Sequence, residues 1–455
     1  MPHYLPRFQQ LCPDVQVINV NDLCLLGSPI LPQAGAKVLT EKLEDLERLL
    51  ANLQKIDAHP ALFLLQNALA IPKVMYFLRT SPTWKNVDIL EKFDESLRSG
   101  LEKILNQKID DRTWTQHSLP ISLGGLGIRK TIDLAVPAFL SSANATAYAS
   151  NALLPTILDY SFSIEADSLW RERMGENAEL SYPKDNTIQE QFDRPVCEMV
   201  LKQLIDSSPS ESERAVLLAV SSEHSSEWLK AVPVSSLGFK LDSASLKIAV
   251  GLRSSTRFCS PYRCVCGRQV DPYGRHGLSC KVAQGRHPRH SEGNNIIHRA
   301  LALCDLPSTL EIKHLCRSDN KRPDGMTHFS YKNGLPLVWD FTCVDTLCAS
   351  HISDSIQKAG KAADKAEDGK LRKYDELKAD YYVVPVGVET FGSWGSKAKK
   401  FLEEVGNLLI EKTDEKRSKH YLFQRLSMAI VRGNVSSVKG TTGNIDKLNE
   451  IFNFN

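Results

Sequence analysis

The sequence predicts a multi-domain chain: an N-terminal all-α bundle, a small Cys/His-rich knuckle, and a C-terminal α/β part built on a mixed sheet. Three observations carry this. Leucines recur at helical spacing among Glu and Lys in the first hundred residues, Cys and His crowd into the middle, and β-branched runs alternate with charged helical stretches in the last third. With 455 residues, 42% of them hydrophobic, the chain is long enough for two or three separately packed cores. No uninterrupted apolar run reaches the roughly 18 residues a spanning helix needs, so no membrane partner is expected. Pro2, Pro6 and Pro13 stand where a secretory signal would carry an apolar core. Secretion is therefore not expected, and the 11 cysteines read as reduced thiols or metal ligands.

Element by element, residues 15–30 alternate apolar and polar and end at Gly27-Ser28-Pro29, a short hairpin. Residues 36–53, 61–78 and 87–105 read as amphipathic helices. A turn-rich break spans residues 120–128, whose Gly124-Gly125-Leu126-Gly127 run lacks the Lys-Ser or Lys-Thr of a phosphate loop, and a small-residue helix covers 134–149. Residues 207–212 form a Ser-rich linker, and 225–252 read as helical with an interruption at 233–238. The last third then runs α (295–302), β (309–314), β (325–331), β (337–344), α (353–380), β (381–388), α (396–410). Lys332-Asn333-Gly334 is the turn between the second and third strands. The expected divisions are 1–150, a helical linker region at 151–252, the knuckle at 253–290, the α/β part at 291–420 and a C-terminal tail at 421–455.

The chain carries a formal +2, yet between Arg253 and Arg322 thirteen basic residues face five acids. A near-neutral total thus hides a basic centre, the electrostatic footprint of a phosphate-backbone binder. Arg263, Arg268, Arg275, Arg286, Arg289 and Arg322 are the expected nucleic-acid contacts. Seven of the twelve histidines lie between His276 and His351. Within this region Cys264, Cys266, His276 and Cys280 have the spacing C-x-C-x9-H-x3-C, a Cys3His set suited to structural Zn²⁺, with Gly267, Gly274 and Gly277 for the turns. Cys259, His287 and His290 are alternative ligands.

Arg322-Pro323-Asp324 precedes one predicted strand and Asp340 sits on the next. Two carboxylates returned to one end of a sheet by a hairpin, with a lysine nearby, suit metal-assisted phosphodiester hydrolysis, the acids holding Mg²⁺. Asp345 and Glu389, at strand ends, are open to reading as further ligands or as caps. Together with Asp340-Phe341-Thr342, Lys370-Leu371-Arg372-Lys373-Tyr374 and the run from Pro385 to Gly392, this pattern resembles the PD-(D/E)XK nuclease fold. More narrowly it is similar to the restriction-like endonuclease domain of one branch of non-LTR retrotransposon polyproteins, in which a Cys/His knuckle stands just upstream. The likeness covers roughly 258–409. It implies that Asp324 and Asp340 bind the metal, and that the catalytic lysine comes from the following helix, because Thr342 occupies the usual lysine position. Lys370 and Lys373, ahead of Tyr374, fit that role, with Lys358 and Lys361 as competitors.

In the first half, Cys24 to Ile30, Leu64 to Lys73, Leu78 to Pro82 and Leu119 to Arg129 are similar to the primer-grip hairpin, helical thumb and connector that follow the palm in such reverse transcriptases. The one adjacent aspartate pair of this half, Asp110-Asp111, reads as a turn and not as a polymerase site. The resemblance implies a C-terminal portion of a retroelement protein, or a gene derived from one, without polymerase chemistry. The expectation is a Mg²⁺-dependent DNA endonuclease with a DNA target, in which element RNA is a further candidate partner. Nuclear localisation follows if the target is chromosomal. The alternative is a catalytically inactive, domesticated or decayed remnant that binds nucleic acid without cutting.

Overall fold

The computed structural model describes residues 10–14, 18–30, 32–153, 160–282, 286–312, 315 and 322–443. Two compact units alternate along the sequence: 1–52, 67–99 and 129–196 form one, and 53–66, 100–128 and 197–455 the other. This partition departs from the expected boundaries at 150 and 252 because residues 53–66 and 100–128 bond to distant parts of the second unit. His117 Nε2 lies 2.6 Å from Ser254 Oγ, and the Leu241 N–H donates to His59 Nδ1 at 3.0 Å.

The first unit is helical. Pro32–Leu53 buries Leu39, Leu46 and Leu50, and Val87–Leu105 buries Leu90, Phe93 and Leu97, each at the spacings of three, four or seven residues that put side chains on one helix face. Thr131–Leu153 packs against Ile71–Thr80, and its small residues Ala135 and Ala138 are fully buried. The expected hairpin exists as Cys24–Leu25 paired with Ser28–Pro29, turning through Leu26 and Gly27 at positive φ; residues 15–17 of that expectation lie outside the described ones. The expected helix at 61–78 is three pieces: Ala58–Leu64, which belongs to the second unit, a wider turn at Leu65–Leu69, and Ile71–Thr80, which belongs to the first. By length and composition Ala58–Thr80 would suffice to cross a membrane, which qualifies the reading of no such run.

In the second unit, helix α1 (Arg286–Leu303) leads into strands β1 (Ser308–Leu310), β2 (Gly325–Lys332) and β3 (Leu335–Val344), then helix α2 (Lys361–Lys373), strand β4 (Tyr382–Glu389) and helices α3 (Ser396–Thr413) and α4 (Ser418–Lys439). The sheet order is β1-β2-β3-β4, antiparallel except for the parallel β3–β4 pair. This is the expected small mixed sheet. Asn333 and Gly334, both at positive φ, make the two-residue turn between β2 and β3. Leu337 to Phe341 are buried without alternation, as a strand covered on both faces requires. Pro385 is tolerated in β4 because that strand is an edge. One face of the sheet packs on α1, α3 and α4 through Trp339, Phe341, Val386, Phe401 and Phe423.

Several expectations change. The long helix at 353–380 is broken: Ile352–Ser355 is one turn, Gly360 adopts φ +78, and α2 starts afresh at Lys361. Of 225–252 only Ser243–Ser254 is α-helical; the rest is turns and short 3₁₀ segments. The Ser-rich stretch is not a loose linker, since Arg112 donates to Ser207 Oγ at 2.9 Å and Ser210 caps the helix Glu211–Val220. The tail expected from 421 contains α4, which buries Leu422, Phe423, Leu426, Ile430 and Val438. It is core because tertiary packing supplies what its Ser- and Gly-diluted pattern does not advertise. Asp110 caps the helix Asp111–His117 by accepting from the Thr113 N–H at 2.7 Å. Lys313, His314 and residues 316–321 lie outside the described residues.

Candidate active site and metal cluster

The knuckle is a two-stranded hairpin, Tyr262–Arg263 against Gln269–Val270, followed by the single turn His276–Ser279. Gly267 at φ +86 closes the hairpin tip between the first two cysteines and Gln269. The ligand atoms of Cys264, Cys266, His276 and Cys280 lie within 4.8 Å of one another. Cys264 Sγ is 3.7 Å from Cys280 Sγ, and Cys266 Sγ is 3.2 Å from His276 Nε2. The four residues picked out by spacing therefore form one cluster able to hold a metal ion. Burial pushes the Cys264 thiol up to about 12, whereas the Arg268 backbone N–H holds Cys266 below its ordinary value. Cys259 is not part of the cluster: its thiol donates to the Asp271 and Pro272 carbonyls. Among the described residues one other set of three such ligand atoms lies close enough together to share an ion, that of Glu223, His224 and Glu403; nothing in the sequence spacing announces it.

The second constellation sits at the start of β2 and the middle of β3. The Asp324 N–H donates to the Trp339 carbonyl at 3.0 Å, and Asp324 Oδ2 accepts from the Phe341 N–H at 2.6 Å, so Asp324 is bonded to both chain neighbours of Asp340. Gly325 is obligatory in this hairpin: a Cβ there would lie 2.1 Å from the Trp339 ring. Asp340 is 3% exposed. Its Oδ1 accepts from Lys370 Nζ at 2.6 Å and its Oδ2 from the Tyr374 hydroxyl, while Lys373 Nζ donates to that hydroxyl at 2.8 Å. The Tyr374 hydroxyl also lies 2.8 Å from the Arg322 carbonyl. A hydroxyl has one proton, so it serves Asp340 or Arg322 at any moment, and the carboxylate is the stronger acceptor. The structure thus gathers Asp324, Asp340, Lys370, Lys373 and Tyr374 in one place. Lys361 is elsewhere, bonded to Gln357 and Asp354.

His290 is the residue the sequence reading misassigned. It is not beside the cysteines; its Nε2 lies 3.1 Å from Asp324 Oδ2, its Nδ1 3.3 Å from Asn294 Nδ2, and its ring meets Phe341 edge-on. The Asp324 hydrogen bond raises the imidazole above its ordinary value, with burial opposing and Asp340 adding. The i, i+4 pair His290/Asn294 on a helix just before the sheet was the available signal. Asp345 and Glu389 are caps: Asp345 accepts from the Leu347 N–H and the Thr390 hydroxyl, Glu389 from the Ala362 N–H at the start of α2.

Of the expected nucleic-acid contacts, Arg263, Arg268 and Arg322 are exposed, and Arg275 stacks over Tyr273 at 4.6 Å. The Arg286 side chain lies outside the described residues. Arg289 is corrected: it is 3% exposed and donates to Asn434, because its helix face turns toward α4. Arg253, counted in the basic centre, is also buried, donating to Ser226 Oγ at 2.7 Å and the Gly125 carbonyl at 3.0 Å. The chain matches no protein-family model and no curated protein.

Proposed function

We propose that the chain is a metal-dependent phosphodiesterase that nicks DNA, derived from a retroelement and lacking polymerase chemistry. The observation that carries this is the juxtaposition of Asp324 and Asp340 on neighbouring strands with Lys370 on Asp340. Two carboxylates supply the hard oxygen ligands that Mg²⁺ takes, so the residues fit that ion. When bound, Mg²⁺ lowers the pKa of a bound water and offsets charge on phosphate. The chain's own contributions are separate. Lys370 and Lys373 bring positive charge to Asp340, and half-exposed His290 brings it to Asp324. Tyr374 fixes the Asp340 carboxylate. The Cys264/Cys266/His276/Cys280 set fits structural Zn²⁺ as a closed Cys3His site, and the helical first unit is assigned a thumb-like holding role.

The test is nicking of supercoiled DNA in Mg²⁺. Asp324→Ala should abolish nicking and leave DNA binding near that of the wild type; undiminished nicking by this variant rejects the site. One observation favours a non-cutting binder instead: both Asp340 oxygens are already engaged by Lys370 and Tyr374. A wild-type protein that binds DNA with salt-sensitive affinity and never nicks it selects that reading.

A further inference from the structure

Helix α1 turns two different faces outward. His290 goes to the carboxylates, while Arg289, Glu292 and Arg299 line a groove of about 520 Å³ against α4, where Arg425 and Arg432 face them. Four guanidiniums thus meet a single carboxylate. Among the described residues none of the four forms an ion pair, although like charges brought together repel. Arg432 spends one N–H on the Lys240 carbonyl at 2.9 Å.

Arg289 shows that the groove is built and not merely exposed. Its side chain crosses α4 at Gly433, where a Cβ would lie 2.4 Å from the Arg289 Cβ, so only glycine admits it. Nη1 is used on Asn434, but the buried Nε has no hydrogen-bond partner and the residue lines the groove floor. The guanidinium thus brings a buried positive charge to the groove wall, which an anion in the groove would offset through space.

We infer that this groove binds the phosphodiester backbone of duplex DNA. The exposed Arg425 and Arg432 are seven residues apart on α4, about 10 Å along one face, exposed Arg299 faces them from α1, and buried Arg289 adds its charge from beneath. Charge spread over that length suits a run of phosphates better than one compact anion, and the guanidinium fork matches phosphate geometry. The inference rests on the reading of the chain as a DNA-acting protein, and it places the backbone contacts on a face separate from the carboxylates.

The experiment measures binding of a fluorescent DNA duplex to the full chain without Mg²⁺ across a salt series. Arg425 and Arg432 are exposed, so Arg425→Ala/Arg432→Ala should fold; far-UV circular dichroism checks this. Losing two phosphate contacts should lower the log-log salt slope by about 1.8 and weaken affinity at 0.1 M salt about 60-fold. The charge-preserving Arg425→Lys/Arg432→Lys pair should keep most of the slope. An unchanged slope and affinity in the alanine pair overturns the groove. The two ideas fail separately: a silent alanine pair alongside an Asp324→Ala variant that no longer nicks removes the groove and keeps the enzyme. A wild type that never nicks, but whose binding depends on the two arginines, removes the enzyme and keeps the groove.

Discussion

Glu389→Gln should make the protein more stable at pH 8 than the wild type and leave it nearly unchanged at pH 5. Glu389 is fully buried at the end of β4; one oxygen accepts from the Ala362 N–H, and the other, Oε2, has no hydrogen-bond partner. Burial raises its pKa from 4.5 to about 7 against the opposing pull of the Thr346 hydroxyl and of the backbone N–H groups that start α2. An acid whose folded pKa is raised keeps a proton that the unfolded chain releases, so the native state binds more protons between pH 4.5 and 7. Stability must then fall as pH rises through that window. The shift corresponds to about 3 kcal/mol, fully lost above pH 7. Glutamine retains the acceptor for Ala362 and places an amide where the carboxylic acid stood, so it removes the titration and keeps the cap. Urea unfolding of both proteins at pH 5 and pH 8 gives the comparison, and the Cys/His cluster's own pH dependence cancels because both share it. Parallel stability profiles for the two proteins would show that Glu389 is ionised in the fold and refute the reasoning.

Two further substitutions probe the sites themselves. Cys280→Ser should strip tightly held zinc from the purified chain, an interaction worth roughly 10 kcal/mol or more in small structural sites; zinc analysis after dialysis checks this, and stoichiometric zinc in the variant removes the cluster from the metal sites. Tyr374→Phe deletes a buried hydroxyl bonded to a carboxylate and should cost about 1.5–3 kcal/mol in urea unfolding; a midpoint equal to that of the wild type would mean that the hydroxyl contributes nothing to holding Asp340.

How much was legible depended on whether an element's partners were local. The helix Val87–Leu105 was readable at both ends because its own spacing of Leu90, Phe93, Leu97 and Leu101 specifies the buried face. The β2–β3 turn was readable from Asn333-Gly334, which alone favours positive φ twice. The cysteine cluster and the Asp324/Asp340 pair were readable because short loops and one hairpin deliver them. Helix α4 was not: polar Ser427 and Asn434 lie buried along it, satisfied by the Trp228 N–H and the Thr390 carbonyl, partners far away in sequence. His290 was misplaced for the same reason, since its partner Asp324 is 34 residues on and arrives through the sheet. Charge counting also overstated the basic surface, because Arg253 and Arg289 are interior donors.

Helix α4 also bears on how the two candidate sites relate. At its C-terminal end the Val265 N–H donates to the Thr441 carbonyl at 3.0 Å, and Gly277 packs so closely on Val438 that a Cβ would lie 2.8 Å from its Cα. The cysteine cluster is therefore docked on that end. One turn earlier Asn434 accepts from Arg289 of α1 and donates to the Thr390 carbonyl just beyond β4. On α1 the next residue, His290, reaches Asp324. Each link is a direct contact, so a change in the knuckle has a contiguous physical route to the carboxylates. A metal ion in the cluster would thus contribute more than a closed loop: by holding the end of α4 it would help fix the neighbouring α1, from which Arg289 and His290 both project.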